Sequence, residues 1–132
     1  MAEPRAKRFE HAVSVDRDGR ATAEGAALEM PASWAPEHLV LMGLVRCSLT
    51  SLRYHARRAG VSVQAEGSAS SVVTKRDSDG RYAFVDVECR LDVALEPTPD
   101  ETVVAELLGK AERDCFVGAS LKPAPRYVWN VA

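Results

Sequence analysis

The segment PEHLVLMGLVRCSL, residues 36–49, carries almost no polar side chain between His38 and Arg46. A helix that is apolar nearly all round must be covered on several sides rather than laid on a surface. The pattern predicts one long helix from Pro36 to about Ala59. Proline is comfortable in a first helical turn, and Gly60 ends the far side. Arg53, His55, Arg57 and Arg58 crowd the last turns, where positive charge suits the helix dipole. For a chain of 132 residues this is a great deal of enclosure, more than one copy readily supplies. Deep in the segment sits Cys47, and two readings of it stand: a small core hydrophobe or a reactive thiol. Burial raises a thiol's pKa, and a mid-helix cysteine gains nothing from its own helix N-terminus. A reactive Cys47 therefore needs a cation brought to it, and Arg46, Arg17 and the helix-end arginines are all candidates.

Length fits a single domain over 1–132 that needs no metal or disulfide staple. Apolar residues make up 46% and charged residues 27%, as in an ordinary globular chain. The net charge of −2 comes from mixed signs, which disfavours a nucleic-acid partner. The opening MAEPRAKRFEH lacks the apolar centre of a signal peptide, and no apolar run is long enough to span a bilayer. A cytoplasmic protein away from membranes is the expectation. Three cysteines, Cys47, Cys89 and Cys115, are an odd number for a disulfide framework. No C-x-x-C or H-E-x-x-H spacing suggests a metal site.

Before the helix, residues 7–16 and 20–30 alternate loosely around Arg17-Asp18-Gly19, which predicts a β-hairpin. After it, residues 61–76 and 81–95 form a second hairpin joined by DSDG (77–80). Its second arm places Val85, Val87, Cys89, Leu91 and Val93 on one face and charged residues on the other. Thr98, Pro99 and Glu101 read as cap, first helical position and capping box of a second helix ending near Asp114. A last strand covers 126–131. The expected order is β-β-α-β-β-α-β, an α+β fold around a long buried central helix.

Three motifs in order carry a resemblance: RDGRA (17–21), PEHLVLMGLVRC (36–47) and AERDC (111–115). With the order of elements, they make the chain resemble the OsmC/Ohr family of thiol-dependent hydroperoxide reductases. The resemblance implies an OsmC-like fold in which Cys47 is the peroxidatic thiol and Cys115 the resolving thiol. It implies that Arg17 is the guanidinium that favours the thiolate, with Glu37 as its carboxylate partner. It further implies reduction of organic hydroperoxides, and possible use of hydrogen peroxide, with neither metal nor organic cofactor. The reductant implied is an external dithiol such as a lipoylated protein.

Glu37 and Cys47 are ten residues apart, hence about 15 Å along one helix. One arginine serves both only if two copies of the helix pack antiparallel. An intertwined homodimer with shared sites is therefore expected, as the resemblance also implies. A rival reading keeps the fold and drops the chemistry: a redox-silent dimer that binds a small apolar ligand at its interface.

Overall fold

A computed structural model describes residues 6–132. They group into two compact units that meet in the chain at Ala35 and Pro36, and each is described by itself.

The first unit is a small antiparallel sheet of three strands, β1 (Ser14–Val15), β2 (Ala21–Ala23) and β3 (Ala26–Leu28), in that order. The Arg17-Asp18-Gly19 turn forms where the sequence places it. Asp16 Oδ1 accepts the N–H groups of Asp18 and Arg20, each at 2.9 Å, and Gly19 takes a positive φ of 85°. The expected single strand over 20–30 is instead two. Glu24 (φ 51°) and Gly25 (φ 74°) turn the chain back so that Ala23 faces Ala26. Two successive left-handed residues make the tight turn that suits strand twist, and glycine takes the second place without steric cost.

The second unit is a three-stranded sheet backed by helices. Its strands are β4 (Ser62–Lys75), β5 (Tyr82–Glu96) and β6 (Arg126–Val131), with β4 antiparallel and β6 parallel to the central β5. Alternation along β5 holds: Val87, Cys89, Leu91, Val93 and Leu95 are buried, while Arg90, Asp92 and Ala94 are exposed.

The long helix α1 (Pro36–Arg58) packs on the sheet's apolar face. Gly67 of β4 permits the approach. A Cβ there would stand 2.7 Å from Leu91 Cδ2, 2.9 Å from the Arg90 carbonyl oxygen and 3.1 Å from Val45 Cγ1.

Helix α2 (Glu101–Arg113) begins later than its sequence signals suggest. Asp100, not Thr98, is the cap, and its carboxylate accepts the Val103 N–H at 3.0 Å. Pro97 and Pro99 bias Thr98 and its neighbours toward extended backbone, so the helix starts only past the second proline. The Thr98 hydroxyl instead donates to the Leu95 carbonyl at 3.3 Å. A single turn, α3 (Phe116–Ala119), follows before β6.

Candidate active site: three thiols around Ser48

Cys47 lies on the second turn after the apolar start of α1, and it is half-buried. Cys115 is fully buried and caps α3, its Sγ accepting the Gly118 N–H at 3.4 Å. A 2.8 Å hydrogen bond between His55 Nε2 near the end of α1 and Asp114 Oδ2 at the end of α2 ties the two helices together one residue before Cys115. Arg113 holds the Asp114 carboxyl down at about 2, and His55 adds to the effect. The two thiols of Cys47 and Cys115 stand within hydrogen-bonding reach of each other. The N-terminus of α1 at Pro36 is too far along the helix to help Cys47. Help reaches it across space, because the Val117 and Phe116 backbone at the start of α3 favours its thiolate.

The residue after Cys47 organises the interior of the site. Ser48 is fully buried and its hydroxyl donates to the Leu44 carbonyl at 2.8 Å. Its oxygen is also 3.2 Å from Tyr127 Oη and 3.5 Å from Cys115 Sγ. Tyr127 sits opposite Cys89 in the parallel pairing of β5 with β6, which brings the third thiol beneath the same serine. Tyr127 stacks on Trp129, centroids 5.9 Å apart, and the Trp129 indole donates to Glu112 Oε1 at 2.8 Å. Gly118 makes room: a Cβ there would be 2.8 Å from Tyr127 Oη and 3.4 Å from Cys115 Sγ.

The thiols differ in acidity. Burial pushes the Cys89 thiol up to about 11, so it stays protonated. Burial also raises Cys47; the Val117 backbone pulls it back in part, and the neighbouring Cys115 raises it again. Burial acts on Cys115 too, but there bonds from Ser48, the Gly118 N–H, Cys47 and Tyr127 outweigh it, and the thiol falls below its usual value.

Glu37 is exposed in the first turn of α1, about 15 Å along the axis from Cys47. Arg17 is exposed on the β1–β2 turn of the first unit. The structure thus brings Cys47 and Cys115 together, and within one helix it holds Glu37 apart from Cys47. Ser48, Tyr127 and the α3 backbone were not singled out in the sequence. The available signal was a serine placed directly after a cysteine in an otherwise apolar helix. Among the described residues, no group of three His, Cys, Asp or Glu side chains is placed to hold a metal ion.

The second unit is thus an α+β scaffold that presents a pair of adjoining thiols. The OsmC-like protein family profile matches residues 29–130, and the chain belongs to that family. Solved structures agree in fold. Organic hydroperoxide resistance protein OhrB of Bacillus subtilis is 20% identical with a TM-score of 0.60, over 94% of this chain and 98% of its own. An OsmC-like protein from Mycoplasma pneumoniae is 14% identical with a TM-score of 0.70, over 96% of both chains. An organic hydroperoxide resistance protein from Elizabethkingia anophelis is 15% identical with a TM-score of 0.66, over 96% of this chain and 97% of its own. No curated protein sequence matches the chain. Among the described residues, no helix is long and apolar enough to cross a membrane.

Proposed function

We propose that this chain is a thiol-dependent peroxidase that reduces organic hydroperoxides, and hydrogen peroxide less readily. The observation that carries the reading is the adjacency of Cys47 and Cys115, one reaching solvent and the other fully buried. Cys47 is the peroxidatic thiol. Its thiolate attacks the outer peroxide oxygen, the O–O bond breaks, and the alkoxide leaves with a proton as alcohol. Cys47 is left as a sulfenic acid. Cys115 then attacks that sulfur, forming the Cys47–Cys115 disulfide and releasing water. An external dithiol, such as a lipoylated protein, exchanges with the disulfide and returns both thiols.

Burial and the neighbouring thiol disfavour charge on Cys47, so the peroxide step needs a cation. Arg17 supplies it in this reading, held by a charge-assisted pair with Glu37. The distance between Glu37 and Cys47 along α1 supports a homodimer in which each site draws on both copies. Met42, exposed on an otherwise apolar stretch of α1, supports the same assembly. Residues 1–132 then act as one domain, with the cytoplasm as the place of action.

Intact-mass spectrometry with thiol counting, before and after one equivalent of cumene hydroperoxide, tests the reading. Wild type loses two thiols and the mass of two hydrogens, with the bond mapped to Cys47–Cys115. Cys47→Ser loses neither. Three unchanged thiols in the wild type at micromolar peroxide would instead favour a redox-silent ligand-binding dimer.

A further inference from the structure

We infer that Ser48 and Tyr127 form a hydroxyl relay that lets the fully buried Cys115 exist either as thiol or as thiolate without any heavy atom moving. The inference rests on the peroxidase reading above and assigns two positioning residues for its second step.

Hydrogen counting carries the argument. Ser48 has one proton and two lone pairs. Its oxygen lies 2.8 Å from the Leu44 carbonyl, 3.2 Å from Tyr127 Oη and 3.5 Å from Cys115 Sγ, with the protonated Cys89 thiol beneath it. When Cys115 is a thiol, its S–H donates to Ser48, Ser48 donates to Leu44, and Tyr127 donates to the second lone pair of Ser48. When Cys115 is a thiolate, the Ser48 hydroxyl rotates and donates to the sulfur, beside the Gly118 N–H at 3.4 Å. Leu44 loses nothing essential, because its carbonyl keeps the ordinary helical bond from the Ser48 amide. Tyr127 still donates to Ser48 and strengthens its bond to the anion. Leu44, Ser48, Tyr127 and Cys115 each keep a partner in both states, which a buried ionisable group requires.

The groups facing Cys115 fit this role. Cys47 comes from α1, Cys89 from β5 and Tyr127 from β6, and the latter two are held protonated by burial. The charged residues next in the chain, Asp114 and Arg113, are paired with each other and with His55. Cys115 is therefore a ready nucleophile for a sulfenic Cys47. Its sulfur forms the S–S bond, hydroxide leaves Cys47, and the proton from the Cys115 thiol makes that hydroxide water.

Ser48→Ala and Tyr127→Phe each remove one oxygen and keep the packing shape. After a single peroxide pulse, both should slow closure of the Cys47–Cys115 disulfide about tenfold. Dimedone-trappable sulfenic acid should persist, and Cys47 should pass more often to sulfinic acid. Independently of any peroxidase activity, the ionisation of Cys115 is read from far-ultraviolet thiolate absorbance in a Cys47→Ser, Cys89→Ala chain, against the same chain with Cys115→Ala. Adding Ser48→Ala or Tyr127→Phe should move that titration to higher pH. Unchanged titration in both variants, with only a lower melting temperature, overturns the relay. If wild-type Cys47 resists peroxide, the peroxidase reading fails on its own, and the titration still decides the relay.

Discussion

The first half of α1 is the more apolar in sequence, yet it is the second half that the chain buries. From Leu44 onward the helix is anchored: Leu44, Ser48, Leu49, Ser51, Leu52 and Ala56 are buried against the sheet and α2. Before Leu44 no residue of the helix is fully buried, and Met42 is 43% exposed. Hydrophobicity records that a surface is to be covered. It does not record whether the same chain or a second copy covers it. Cys47 stands just beyond this border and is only half-buried.

The sharpest test of the contrast sets Leu44 against Met42. Leu44→Ala leaves a cavity in a closed core and should cost about 2–5 kcal/mol at any protein concentration. Met42→Ala should cost less than about 0.5 kcal/mol at high dilution. In concentrated solution it should raise the midpoint of dimer dissociation, read by light scattering, at least tenfold. Urea unfolding of both variants over a range of concentrations supplies the numbers. Equal losses at high dilution would mean that both halves are buried within one chain, and the contrast would collapse.

Two glycines sharpen it further. A Cβ on Gly67 would collide with Leu91 Cδ2 and the Arg90 carbonyl oxygen and press on Val45 of α1, so Gly67→Ala should cost about 1–3 kcal/mol. Gly43 on the open half has nothing within 4 Å of such a Cβ. There alanine is simply the better helix former, and Gly43→Ala should stabilise the dilute chain by up to about 1 kcal/mol. A dimer that seats its partner on this face would lose that gain as concentration rises.

The same physics explains what was legible beforehand. The long helix, the 77–80 turn and the buried face of β5 follow from local periodicity and turn chemistry, and all three appear in the structure. The start of α2 was misplaced because two prolines outweigh a capping pattern. The turn at Glu24-Gly25 was missed because the run around it reads as one loose alternation. Cys115 beside Cys47 was expected only through the family resemblance. Ser48 and Tyr127 meet because β6 pairs parallel to β5 after a crossover through α2 and α3. That register places Tyr127 opposite Cys89, under the serine, and no local pattern encodes it.

Cys89 gives the smallest effect and the most direct reading of how dry the anchored half is. Its thiol is pushed up to about 11, chiefly by burial, whereas an unfolded cysteine ionises near about 8.5. As pH rises through about 8.5, the unfolded chain gives up this proton first and the native chain keeps it. The native state then holds more protons, so stability falls with rising pH, and the stabilisation is complete only below about 8.5. Cys47 acts in the same direction and Cys115 in the opposite one. Replacing Cys89 with alanine should therefore make the alkaline decline between about 8.5 and 11 shallower without abolishing it. Urea midpoints measured across that range, wild type against Cys89→Ala, check the slope. Superimposable curves would mean that water reaches the floor of the site, and the anchored half of α1 would then be no drier around its thiols than the open one.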